Sequence, residues 1–394
     1  MRLFHHSVAG LILFAALATP LAAQTPCGGE FSGWLAEIKS EAVASDHNAD
    51  TVAAFFKTAR QDPKVLKADR SQGVFRKTFI DFSRSLISDS RMKNGKANAG
   101  KYASVFKRAQ AGYGVPAGII LAFWAFETDF GQVQGDFNTL NALVTLAHDC
   151  RRPDLFRPQV LAALMLYEQG SFDPVNTTGA WAGEIGMVQM LPKDILERGV
   201  DGDGDGKITL KTSAPDALLS GARVLSSLGW RPNEPWLQEV VMPPDFDWAR
   251  TGLTTELPAS KWAAMGVQAR EGALPGGLPG SILLPQGRKG PAFMVFPNFR
   301  VLFEWNKSFV YVTTAAYFAT RLQGAAAYDA GSPDPALSDK QMQTLQKMLA
   351  ARGHDVGKID GILGAATRTA VQKEQIRLGL PADAWPTVEL LSAL

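Results

Sequence analysis

The sequence has no run of basic residues. Its 40 lysines and arginines stand against 38 aspartates and glutamates, a formal charge of +2 over 394 residues. A dedicated nucleic-acid binder usually carries a basic patch or stripe, so that class is set aside. Long biased tracts are also missing, and 46% hydrophobic with 20% charged residues describes an ordinary globular chain. The apolar run at residues 8–17 is too short for a permanent membrane anchor. Cysteine is scarce: there are 2, Cys27 and Cys150.

What is present begins at the N-terminus. Arg2 precedes the short apolar run, and Thr19-Pro20-Leu21-Ala22-Ala23 follows it. A charged start, apolar core and small-residue end make residues 1–23 a secretory signal peptide, cleaved after Ala23. The mature chain is expected to be soluble and exported. Two cysteines in an exported chain imply a Cys27–Cys150 disulfide. Closing so long a loop stabilises by about 4–5 kcal/mol in the chain-entropy view. The length implies two or three domains.

Apolar residues recur at helical spacing through residues 31–107, with Asn94 to Gly100 expected as a loop. Further helices are expected near residues 140–148, 159–169, 215–228 and 308–323. Short apolar runs at 281–285, 292–296 and 300–305, parted by glycine and proline, predict a small β-subdomain. Residues 330–335, AGSPDP, read as a linker. Beyond it, residues 336–394 have the apolar positions for a compact three-helix unit.

The chain is organised around residues 113–131, YGVPAGIILAFWAFETDFG. Pro116 suits a helix's first turn and Gly131 its C-terminal cap. Ile119, Ile120, Phe123, Trp124 and Phe126 crowd the turns before Glu127. A carboxyl held against hydrocarbon has a raised pKa and donates a proton near neutral pH. The bland alternative is a helix-end glutamate that merely solvates. Asp129, two residues on, points to another face. Asp136 and Glu184 remain geometrically possible partners. The glycine-rich segment 173–192 predicts a tight loop leading into a short helix. Next, Asp201, Asp203, Asp205 and Gly206 reproduce positions 1, 3, 5 and 6 of an EF-hand-type loop. Lys207 would offer a backbone carbonyl, and position 12 is Thr212 rather than the usual glutamate. The pattern points to a structural Ca2+.

These motifs, with GAWAGEIGMVQMLP and FPNFRVLFEWNKSFVY, resemble the lytic murein transglycosylase B family (glycoside hydrolase family 103) over residues 31–323. The resemblance implies a mainly α (α+β) protein. Its catalytic domain, residues 24–329, would be lysozyme-like, with a helical extension and the small β-subdomain. Glu127 falls on the catalytic acid, Gln189 on a substrate-contacting position, and Trp305 and Tyr311 on an aromatic pair lining the glycan cleft. Trp181, Met187 and Met190 fall on the same cleft, and Asp216 on the carboxylate closing the calcium loop. Ala180, Met187, Met190 and Glu184 depart from the family's usual residues.

Residues 336–394 resemble a three-helix peptidoglycan-binding domain through Ile359-Asp360-Gly361, Gly364, Thr367-Arg368 and Gln372. Together the resemblances imply a lytic transglycosylase acting on peptidoglycan glycan strands, with no organic cofactor. The MurNAc–GlcNAc bond would be cleaved to a 1,6-anhydro product. The alternatives are a non-catalytic wall-binding protein, and a muramidase that adds water with Asp136 or Glu184 as second carboxylate.

Overall fold

The computed structural model describes residues 26–71 and 77–394. The signal peptide expected at residues 1–23 lies outside them. Helices dominate, and the central one is Ala117–Thr128. Nine of its twelve residues are buried, so it crosses the interior with no solvated face before its last turn. It packs most heavily on Phe309–Leu322, a helix begun by Ser308, whose hydroxyl accepts from Tyr311 N. Ala103–Tyr113 and Ala214–Ser227 add buried residues to that core, and Asp89–Lys101 packs against it. A second core joins Phe31–Ala44, Thr139–His148 and Pro153–Glu168. Cys27 and Cys150 are disulfide-bonded, tying the described N-terminus to the segment between those last two helices.

Residues 94–100 are not a loop. They continue the helix Asp89–Lys101, whose start is capped by Ser88 accepting from Arg91 N at 3.2 Å. Gly95 serves close packing instead of a turn: a Cβ there would lie 2.6 Å from Leu322 Cδ2. Residues 300–305 are likewise not a strand but the end of the helix Pro297–Trp305. Proline fits its first turn, and Phe299 and Leu302 face the core.

The expected β-subdomain is a five-stranded antiparallel sheet. Its order is Leu257–Pro258, Pro279–Leu283, Phe293–Val295, Leu237–Val241 and Gln268–Ala269. The strand Leu237–Val241 lies before the region where strands were expected, yet it bridges the sheet to its outer strand. Trp262 and Phe296 fill the sheet's own core.

The C-terminal unit has the expected helices Asp339–Ala351, Ala365–Arg377 and Val388–Ala393 around Leu345, Leu349, Val371 and Leu390. It is docked, not strung on a loose linker. Ser332 N donates to Lys289 O at 2.8 Å, and Lys289 pairs with Asp334 at 2.6 Å. Arg368 reaches across to Pro285 O at 2.5 Å, with its guanidinium 4.3 Å from the Phe309 ring centre. Gln372 donates to Thr251 O at 2.9 Å.

Candidate active site

Glu127 is the penultimate residue of the central helix. The helix ends in a left-handed turn at Asp129, φ 50°, with Phe130 N donating back to Trp124 O. The cap is therefore Asp129, two residues before the glycine expected to supply it. Thr128 fixes this end against the glycine-rich loop by donating to Met187 O at 2.6 Å. Asp129 turns away to pair with Arg91 at 3.0 Å.

Two donors converge on one oxygen of Glu127. Tyr311 Oη donates to Oε1 at 2.5 Å, and Trp305 Nε1 donates to the same atom at 3.1 Å. Phe123, one turn before Glu127, stacks on Trp305 with centroids 4.6 Å apart. Phe126 packs edge-on against Tyr311. Aromatic walls strip water from the carboxyl. This desolvation pushes its pKa up to about 7, against the pull of the Tyr311 and Trp305 hydrogen bonds and with a small push from Glu184. Burial and the adjacent carboxylate hold Tyr311 well above the ordinary phenol range, so it stays a neutral donor. With Oε1 engaged twice, Oε2 is the oxygen left to carry and transfer a proton.

For Tyr311 this differs from the cleft-wall reading of the aromatic pair, while Trp305 is partly exposed. Tyr311 is 6% exposed, with its hydroxyl committed to Glu127. Met190 also leaves the cleft list, because at 4% exposure it belongs to the second core. Met187 and Trp181 are partly exposed. Met187 lies against Gly131, where a Cβ would stand 3.1 Å from its Cγ.

The glycine-rich loop is a short β-turn unit closed by Ile185 N to Met190 O at 2.8 Å and Met190 N to Ile185 O at 3.1 Å. Gln189 sits in it at φ 53°, an unusual backbone for a non-glycine residue and one that clusters at functional sites. Its amide nitrogen donates to Gly186 O at 2.8 Å and Gln134 O at 3.3 Å. Oε1 is the atom it has to offer a ligand. Gly179 permits the close approach of this loop to its base, since a Cβ there would fall 2.0 Å from Glu184 O.

Of the two candidate partner carboxylates, Asp136 is exposed. Glu184 is raised by burial, with Arg152 opposing, and its Oε2 has no hydrogen-bond partner among the described residues. Sequence reasoning missed Thr128, Phe123 as the stacking partner of Trp305, and Gln134. Phe123 could have been found, since it lies four residues from Glu127 and so on the same helix face.

The acidic loop gathers carboxylate oxygens of Asp201, Asp203 and Asp205 within 4.8 Å of one another. Backbone N–H groups, led by Gly206, hold the Asp201 carboxyl below its usual range. Asp216 is fully buried and does other work: it accepts from Gly202 N at 2.8 Å and Thr209 N at 2.7 Å, bracing both ends of the loop.

The sequence matches the family described as "Transglycosylase SLT domain" over residues 30–320, and that described as a peptidoglycan binding domain over 338–394. SltB3 from Pseudomonas aeruginosa, solved in complex with NAG-anhNAM-pentapeptide, is 36% identical with a TM-score of 0.84, over 93% of this chain and 99% of that one. The lytic transglycosylase Slt35 of Escherichia coli, solved in complex with calcium, shares the fold at 24% identity and a TM-score of 0.65, over 78% and 98% of the two chains. Membrane-bound lytic murein transglycosylase B of Escherichia coli (strain K12) is 31% identical over 153 residues, 39% of this chain. That match spans 42% of the relative's own length. With a full lysozyme-like fold, a buried carboxyl at its centre and a family match over most of its length, this chain belongs to the SLT-domain transglycosylases.

Proposed function

We propose that the protein is a lytic transglycosylase that cleaves the MurNAc–GlcNAc β-1,4 bond of peptidoglycan, with Glu127 acting first as acid and then as base. The observation that carries this reading is the Glu127 carboxyl itself, desolvated to a pKa of about 7 with both donors on Oε1. Such a group is protonated in a useful fraction at neutral pH and is also a competent base once ionised. Its proton passes to the glycosidic oxygen as the C1–O bond breaks. The Glu127 carboxylate, steadied by Tyr311 and Trp305, then takes the proton of the C6 hydroxyl as O6 bonds to C1. A 1,6-anhydro sugar forms, no water is consumed, and Glu127 regains its proton. Holding C6–OH near C1 within one sugar supplies the proximity advantage. Gln189 would contact the substrate through Oε1, with Trp181 and Met187 along the cleft.

The muramidase reading has one observation in its favour: Glu184 is near enough to raise the Glu127 pKa. Mass spectrometry of digested murein separates the readings. Anhydro-muramic ends support transglycosylation, and reducing ends support hydrolysis. Glu127→Gln should abolish both while leaving sedimentation with murein intact. Release of muropeptides by that variant would place the acid elsewhere.

The substrate puts the protein outside the cytoplasm, and the periplasm is the compartment we propose, reached by cleavage after Ala23. The proposed division is a catalytic unit at 24–329, a connecting strip at 330–335 and a wall-binding unit at 336–394. We also propose that Asp201, Asp203, Asp205 and the Lys207 carbonyl hold a structural Ca2+, which relieves the repulsion among three adjacent carboxylates. Asp216 would brace this site instead of closing it. Calcium should raise the melting temperature of wild type and not of Asp203→Asn; equal responses would remove the ion from the account.

A further inference from the structure

We propose that the cavity between the catalytic and C-terminal units is a subsite for the peptide carried by the glycan strand. The assignment rests on the reading of the protein as a peptidoglycan transglycosylase. The cavity is about 460 Å3 and is walled on one side by residues 306–310 and on the other by residues 360–364 and Trp385.

Its position is the first argument. Residues 306–310 connect Trp305 to Tyr311, the two residues that donate to Glu127. One seven-residue segment therefore holds the reacting carboxyl at its ends and walls the cavity between them. An extended five-residue peptide reaches roughly 17 Å, and on this segment the cavity lining begins at Asn306 and ends at Val310, one residue from each donor.

The lining is the second. Phe309, Leu337, Ile362 and Leu363 give apolar surface, while Lys307 and Lys358 face it together with Asp339 and Asp360. Lys307 also pairs with Glu304 at 2.7 Å. Apolar surface under charges of both signs suits a short peptide with carboxylates and an amine. A glycan stripped of its peptides keeps only the lactyl carboxylate of each muramic acid and offers no amine.

The third is that the walls are fixed to each other before any ligand arrives. Arg368 donates across the interface to Leu284 O and Pro285 O, and Gln372 to Thr251 O. A preformed cavity spares the ligand the cost of assembling it. The Asp360, Gly361 and Gly364 positions of the wall-binding motif thus line the cavity opposite the catalytic unit.

The test compares cleavage of murein glycan strands bearing their peptides with strands stripped by an amidase. Gly364→Phe blocks the cavity: its backbone, φ −81°, accepts a side chain, and a Cβ there meets no atom within 4 Å. Lys358→Glu reverses a rim charge at the far wall. In both variants, with wild-type melting temperature as the check on folding, kcat/KM for peptide-bearing over stripped strands should fall about tenfold, a loss of roughly 1.4 kcal/mol of differential binding. A ratio unchanged within twofold in either folded variant overturns the subsite. If wild type cuts neither substrate, the transglycosylase reading itself fails.

Discussion

Replacing Tyr311 by phenylalanine removes one oxygen and keeps the ring that packs against Phe123 and Phe126. The lost bond is the 2.5 Å donation to Glu127 Oε1, made to a charged acceptor when Glu127 is ionised. Hydrogen bonds to charged groups contribute about 1.5–3 kcal/mol. At 1.36 kcal/mol per pKa unit that is a rise of about one to two units in the Glu127 pKa. The free enzyme must hold Glu127 protonated to begin the reaction, so kcat/KM falls on the alkaline side of that pKa. In wild type this limb should lie near pH 7, where desolvation has placed the group. In Tyr311→Phe it should move to about pH 8–9, with kcat reduced because the base step loses a donor steadying the carboxylate. The assay is the pH profile of initial rates on soluble glycan fragments. An alkaline limb that stays in place while kcat falls would show that Tyr311 positions substrate and does not tune Glu127.

The same carboxyl makes a stability prediction. Its pKa is raised from 4.5 to about 7 on folding, so its contribution is full below the unfolded value and lost as pH rises through the folded one, about 3 kcal/mol in all. Glu127→Gln should therefore melt a few degrees above wild type at pH 8 and at the same temperature near pH 4; a constant difference would contradict the burial argument. Reducing the Cys27–Cys150 bond, or replacing Cys27 by serine, should destabilise by about 2–5 kcal/mol in denaturant titrations without changing the product. Met190→Ala should lower stability by about 2–5 kcal/mol as a core truncation, whereas Met187→Ala should chiefly change KM. Arg368→Ala removes both donations to the neighbouring unit, and limited proteolysis should then cut between residues 325 and 337 before the catalytic unit unfolds; resistance equal to wild type would mean that the interface does not depend on Arg368.

Local chemistry made much of this protein readable in its sequence. The order and ends of most helices follow from apolar periodicity and capping residues, and Glu127 stands out because an otherwise wholly apolar helix has one carboxylate at its end. The disulfide follows from cysteine count and export, and the acidic loop from alternating aspartate and glycine. Where sequence reasoning failed, a partner distant in the chain was the cause. Asn94-Gly95 reads as a turn until Leu322 is seen to need the missing Cβ. Residues 300–305 read as a strand because the core that buries Phe299 and Leu302 comes from other elements. Met190 sits in a motif that faces the cleft, but the turn closed by Ile185 points it into the core.

The sequence by itself determined that one carboxylate would sit in an apolar helix and that a wall-binding unit would follow. Only the tertiary structure decided what tunes that carboxylate and where the unit goes. Both depend on contacts between residues far apart in sequence: Tyr311 and Trp305 lie 184 and 178 positions from Glu127, and Arg368 lies 83 from Pro285. No local spacing encodes such a meeting, because it is set by how whole helices pack.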